Sequence, residues 1–254
     1  MLRLARPETP DERYQLNLLA IAPDYGRELT RTVARPVDPG ASFVIGDPVY
    51  RLSHLGHMVA GMCNDYRSHV DLNTIRQDFS EIRIRIRFPE GAPNLQPRDD
   101  IRITETAPIV RTDDEPGTAE LVQRRWSWPE RGRPVYNFRS ENREFTTGRC
   151  LVVADGFYEF TSHTDPKSKR KHKWLFATTD QPWFCIAGIW RTTEVGEAFT
   201  MLTTAPGPDV APYHDRQIVV LDRADWARWL DPNISAKTIL KPLPSGSLKV
   251  EKVA

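Results

Sequence analysis

The feature that most constrains this chain is a series of strand-length apolar runs, each stopped by glycine, proline or aspartate. Residues 150–160 form a pair of such runs, broken at Ala154-Asp155-Gly156, which is a turn signal. Residues 173–178, 183–189, 199–204 and 217–221 read as further strands. Upstream, Ile82, Ile84 and Ile86 alternate with Arg83, Arg85 and Arg87, which predicts a strand with one greasy and one basic face. Residues 89–97 read as a loop, 101–110 as another strand, and 113–117 as a turn. The segment 121–128 carries apolar and aromatic residues that end at Pro129. Helical spacing occurs over 71–79, with Asp71 as N-cap. It occurs again in a short segment carrying Trp226, Trp229 and Leu230, capped by Asp222 with Asp225 three residues later. With 21 prolines punctuating short strands, 7 tryptophans for a core and no internal repeat, the expectation is one α+β domain. It is built on a mainly antiparallel, barrel-like β-sheet with a few short helices.

The balance of 35 Lys+Arg against 34 Asp+Glu excludes a histone-like or tail-like basic protein but leaves room for a local basic groove. No stretch approaches the roughly 18 apolar residues of a membrane span. Cys63, Cys150 and Cys185 are an odd, sparse set without metal-ligand spacing, which suits a reducing cytoplasm better than a disulfide scaffold. Residues 1–61 differ from the rest: they are Arg- and Pro-rich in pieces, with one brief apolar run at 18–22 that suits a short helix. That run is too short for a secretory signal, and Glu8, Asp11, Glu12 and Asp24 count against a transit peptide. The preferred expectation is that 1–61 is an extension outside the working protein, through a start codon assigned too early or through removal. The domain is then 62–254.

Four polar positions interrupt apolar surroundings: Cys63, directly after Met62; Asn137; Glu159; and His214, just before the Val219-Val220-Leu221 run. Each has a plain structural explanation taken singly: a small buried hydrophobe, a turn residue, a solvated strand end and a loop histidine. Cys63 has one further property. Were it the first residue, its thiol and its free α-amine would sit on adjacent carbons. The pair would capture an aldehyde as a Schiff base and then as a five-membered thiazolidine. An internal cysteine, its nitrogen in an amide, cannot do this.

Several spaced motifs together resemble one family. Residues Gly148-Arg149-Cys150-Leu151-Val152-Val153-Ala154-Asp155-Gly156-Phe157-Tyr158-Glu159-Phe160 closely resemble the signature of the SRAP family (SOS response-associated peptidases, abasic-site-processing proteins). So do Asn137-Phe138-Arg139-Ser140-Glu141, Ala187-Gly188-Ile189-Trp190, Leu202-Thr203-Thr204 and His214-Asp215-Arg216, in that order. The resemblance implies that Cys63 becomes the N-terminal residue and crosslinks to the ring-opened aldehyde of an abasic site in single-stranded DNA. It implies that Glu159, Asn137 and His214 are the accompanying site residues. It also implies a SRAP-type enzyme with peptidase and lyase-like activity, acting in the cytoplasm at the nucleoid as a monomer, with no cofactor and no metal.

The residue types suit that chemistry. A carboxyl group beside the amine can open the closed sugar and move the proton during Schiff-base dehydration. His214 can bond the freed sugar oxygen, and the Asn137 amide offers both donors and an acceptor to fix Cys63. For DNA, Arg139 is the first phosphate candidate. Arg216, Arg149 and the loop Lys167-Ser168-Lys169-Arg170-Lys171 are weaker ones, the loop reading better as a solvated hairpin tip. Trp126 and Trp128 could stack on bases, though core packing explains them equally well. Asp65 stands where the family has an arginine, Val153 where it has a proline, and Gln217-Ile218 replaces a Met-Pro pair, the marks of a divergent subgroup. Two other functions compete: a thiol autopeptidase without DNA work, and a noncatalytic single-strand-binding module.

Overall fold

The computed structural model describes residues 15–18, 29–32, 63–165 and 167–254. Contacts divide the chain into 1–56 and 57–254. In the first unit, β1 (Gln15–Leu18) and β2 (Leu29–Thr32) pair antiparallel. Leu18 thus ends a strand; the remainder of the 18–22 run, and Met62, lie outside the described residues.

The second unit begins with β3 (Asp65–Ser68), α1 (Leu72–Glu81), β4 (Arg85–Arg87), β5 (Arg98–Arg102), β6 (Thr106–Thr112) and β7 (Thr118–Trp126). It continues through β8 (Trp128–Glu130), β9 (Arg133–Val135), β10 (Asn137–Arg139), β11 (Arg149–Ala154), β12 (Gly156–Ser162) and β13 (Lys171–Thr178). Last come β14 (Phe184–Thr193), β15 (Gly196–Thr204), β16 (Gln217–Ile218), β17 (Val220–Leu221), α2 (Arg223–Leu230) and β18 (Leu248–Lys252).

Strands β14, β11, β6, β7 and β15 pair in a ring, because β15 meets β14 on one side and β7 on the other. The other four pairings are antiparallel. Strands that alternate in direction cannot close an odd ring without one parallel pair, and here that pair is β7–β15 at Phe199↔Trp126. A second, five-stranded sheet runs β18-β13-β12-β3-β5, all antiparallel. Residues of one face of the ring, such as Val110, Leu151, Cys185 and Leu202, pack with Phe79 of α1 and Trp226 and Trp229 of α2. Those of the other face, such as Ile109, Val152, Ile186 and Met201, pack with Tyr66, Phe157 and Phe176 of the second sheet. The mainly-sheet, barrel-like domain expected from the runs is the fold found.

Both helices start where expected. The Asp71 carboxylate accepts from the backbone N–H groups of Asn73 and Thr74, and Asp222 accepts from Ala224. Three local expectations change. The Ile82/Ile84/Ile86 alternation is a strand only over Arg85–Arg87, because α1 runs to Glu81 and Arg83 closes it with φ +61 and an N–H bond to Ser80 O. The 101–110 segment divides between β5 and β6. The 150–160 pair is not a hairpin: β11 belongs to the ring and β12 to the second sheet. The chain changes sheets at Asp155, whose carboxylate accepts from Arg67 Nε at 3.2 Å and from His69 N–H at 3.2 Å.

Candidate active site at Cys63

Cys63 enters β3 at the junction of the two sheets. Beside it, β12 pairs with β3 at Phe157↔Tyr66 and carries Glu159 two residues further on. From the ring, β10 runs parallel to β15, with Asn137 opposite Met201. These two strands bring their side chains to the two ends of the Cys63 main chain. Cys63 N–H donates to Glu159 Oε1 at 3.3 Å, and Asn137 Nδ2 donates to Cys63 O at 3.0 Å. The thiol donates to Asp65 O at 3.4 Å.

All of this is enclosed. Cys63 is fully buried and Glu159 is 1% exposed. Burial pushes the Glu159 carboxyl up to about 8; the N–H of Cys63 works against the rise and the Asp215 charge adds to it. Burial also lifts the Cys63 thiol, with the Glu159 charge second, and it lifts the Tyr136 hydroxyl nearby. Glu159 Oε2 and Asn137 Oδ1 are buried with no hydrogen-bond partner among the described residues. A buried polar atom of this kind is unfavourable unless it finds a partner, so the site retains hydrogen-bonding capacity for a ligand.

His214 lies on the turn before β16, and its side chain is mostly buried. Its Nδ1 accepts from Arg216 N–H at 3.0 Å, and Asp215 Oδ1 stands 3.0 Å from the same atom; both neighbours belong to its own turn. The preceding Tyr213 ring packs on Trp174, with 4.8 Å between centroids, and Trp174 is the register partner of Glu159. Cys63, Asn137 and Glu159 therefore meet through direct bonds. His214 comes to the same strand pair through its turn.

The arginines and tryptophans separate. Arg139 is exposed at the end of β10. Arg216 is held by Glu141 through both Nη nitrogens, Nη2–Oε2 at 2.9 Å, and by Thr203 Oγ1 at 2.9 Å. Arg149 is buried and donates to the backbone oxygens of Phe145, Trp229, Asp231 and Ile234. It is a structural cation, which corrects its assignment to DNA. Trp126 and Trp128 are 0% and 1% exposed, so their faces are not offered to bases. Trp126 instead donates from Nε1 to Tyr136 O and stacks edge-on against Tyr66. The Lys-rich loop is mostly exposed between β12 and β13.

Sequence reasoning missed Lys173. Its ammonium joins Asp65 at 2.7 Å and also pairs with Asp100. No local signal singled it out, since it follows Lys171 and His172 at the polar start of β13. Among the described residues, no group of three or more His, Cys, Asp or Glu is arranged to hold a metal, and no helix is long and apolar enough to cross a membrane.

The chain is 22% identical over 205 residues to the abasic site processing protein YoqW of Bacillus subtilis (strain 168), spanning 71% of this chain and 90% of that protein. It matches the YoqW protein of Bacillus phage SPbeta equally. The fold is similar to a solved protein from Bordetella bronchiseptica, with TM-score 0.56 and 21% identity over 76% of this chain and 100% of that one. A second, from Bacteroides thetaiotaomicron, has TM-score 0.51 and 17% identity over 63% and 79%. The family model described as SOS response associated peptidase (SRAP) matches residues 62–254, most of the chain and all of the site just described, and the chain belongs to that family.

Proposed function

We propose that this protein processes abasic sites in single-stranded DNA, and that its working form begins at Cys63. The relatives named abasic site processing proteins support the broad role. The observation that carries the chemistry is the 3.3 Å bond from Cys63 N to Glu159 Oε1. The atom that would be the α-amine faces a buried carboxyl that holds a proton near neutral pH. The amine adds to the C1′ aldehyde of the opened sugar, and water leaves as Glu159 supplies a proton, forming the imine. The thiol sulfur then bonds to the imine carbon, and its proton passes to nitrogen, closing the thiazolidine. Asn137 holds the Cys63 carbonyl through both steps. His214 serves the freed sugar oxygen and Arg139 a flanking phosphate.

The test uses protein started at Cys63 and an abasic single-stranded oligonucleotide. A heat-stable shifted band should form, and Cys63→Ala should abolish it. Equal crosslinking by Cys63→Ala would end the reading; tight binding without any crosslink would leave only a binding module.

The same bond favours a second activity in the 254-residue chain. Glu159 faces the nitrogen of the Met62–Cys63 amide. Attack of Cys63 Sγ on the Met62 carbonyl, with Glu159 protonating the departing nitrogen, gives a thioester. Hydrolysis of that thioester by water releases residues 1–62 and frees the amine. Intact mass of the full-length chain over time tests it: Glu159→Gln should remain uncut while the unaltered chain loses 1–62. If neither chain is cut, self-cleavage is refuted.

A further inference from the structure

Asp65 touches Cys63 in one way and Lys173 in another. Its main-chain oxygen accepts the Cys63 thiol at 3.4 Å. Its carboxylate, 5% exposed, accepts from Lys173 Nζ at 2.7 Å through Oδ2, while Oδ1 is buried with no partner among the described residues. Lys173 is itself placed by three other contacts: the Asp100 carboxylate, the Tyr158 ring with its centroid 3.7 Å from Nζ, and the ladder pairing Lys173↔Phe160 beside Glu159. One cation therefore joins three strands of the second sheet at the residue that orients the thiol. A carboxylate this buried is unfavourable without its cation: burial lifts Asp65 to about 6 and the Lys173 ammonium works against the rise. While it is ionised, its negative charge opposes formation of a second one at the sulfur.

Resting on the reading above, we propose that Lys173 is a positioning residue for ring closure. It neutralises Asp65 so that the Cys63 sulfur can give up its proton, and it pins the carbonyl that sets the thiol's direction. Imine formation uses the amine and Glu159 and does not need this. Closure does: the S–C bond forms, the imine electron pair moves to nitrogen, and nitrogen takes the proton that sulfur releases. The thiolate is the attacking species, so loss of Lys173 slows the second step and spares the first. This is a specific use of a lysine that a purely structural ion pair would not have.

The experiment separates the two steps in Cys63-initiated protein mixed with abasic single-stranded oligonucleotide. Borohydride trapping counts imine; heat-stable crosslink formed without reductant counts thiazolidine. Lys173→Met should leave trapping within about twofold and slow the unreduced crosslink about tenfold, the equivalent of one unit at the thiol. Lys173→Arg should restore it. Asp65→Asn with Lys173→Met, which removes both charges, should recover most of the rate. If trapping and closure fall together, or the double variant stays slow, Lys173 is only structural and the proposal is wrong. Should Lys173→Met fail to fold, Asp65→Asn alone decides: with the buried negative charge gone and Lys173 still held by Asp100, closure should accelerate, and an unchanged or slower rate overturns the proposal. Absence of both products from the unaltered protein would instead overturn the function on which the proposal rests.

Discussion

Glu159 gives the sharpest quantitative handle on this site. Its carboxyl sits at about 8, from an ordinary 4.5, mainly because it is buried. Between those two values the folded protein binds a proton that the unfolded chain releases. The stability this contributes is fully present below about 4.5 and is lost as pH rises through about 8. Each unit of difference is worth about 1.4 kcal/mol. Raising the pH from about 5 to about 8 therefore removes about 3–4 kcal/mol through this one group. Glu159→Gln keeps an oxygen to accept from Cys63 N–H and removes the titration. Urea unfolding of the full-length chain and of the variant, at intervals across that range, reads the difference directly, since groups common to both cancel. The variant should be close to the parent at the acid end and more stable by roughly 3–4 kcal/mol at pH 8. Parallel pH profiles would refute the claim that burial holds this carboxyl protonated.

Arg149→Met should cost about 3 kcal/mol or more in unfolding free energy, because four backbone carbonyls lose a buried charged donor; the salt dependence of DNA binding should not change. Gly148→Ala should cost about 2 kcal/mol or more, measurable as a lower melting temperature, because φ is +70 and a Cβ would stand 2.4 Å from Trp190 O. Asn137→Ala leaves the Cys63 carbonyl without its 3.0 Å donor, and should slow crosslinking about tenfold, the equivalent of one lost buried hydrogen bond. The rate of borohydride-trapped imine should rise with pH as the amine deprotonates and fall again above about 8 as Glu159 loses its proton. Glu159→Gln should be slower and lack the falling limb, and a falling limb that survives unchanged would assign it elsewhere.

Elements whose causes are local were legible in the sequence. Asp71 and the Ile75/Phe79 spacing announce α1, and the capping carboxylate is where that pattern requires it. Ala154-Asp155-Gly156 announces a break, but a break serves a hairpin and a change of sheet equally. The choice is made by Arg67, 88 residues away, through its bond to Asp155. The isoleucine alternation failed because a helix end consumed its first half. In the site, motif order pointed to Cys63, Asn137 and Glu159, which the fold joins by hydrogen bonds. Exposure is a property of the whole fold and is not written in a short window. Hence a short window left Arg149, Trp126 and Trp128 open to a ligand-contact reading beside core packing, and the fold buries all three. Lys173 and Asp65 lie 108 residues apart, and nothing near either one announces the other.

Under the proposed chemistry, the geometry around Cys63 would let one carboxyl serve both a blocked and a freed nitrogen. In the 254-residue chain, the nitrogen is an amide that donates to Glu159 Oε1 and carries no charge. The proton that burial retains on the carboxyl is then the acid that a departing amide nitrogen needs. Were the nitrogen an amine, its ordinary value of about 7.7–8.0 would lie close to the value of about 8 that Glu159 has beside the amide. Amine plus carboxylic acid and ammonium plus carboxylate then differ little in free energy, and one proton serves both groups. Burial penalises the charged pair and so favours the neutral one, in which the nitrogen is nucleophilic and the acid still holds the proton that dehydration consumes. A solvated glutamate in the same place would be ionised at neutral pH and would stabilise the unreactive ammonium. In the proposed reaction, the enclosure of Glu159, more than its identity as a carboxylate, is what would make the pair competent for aldehyde capture.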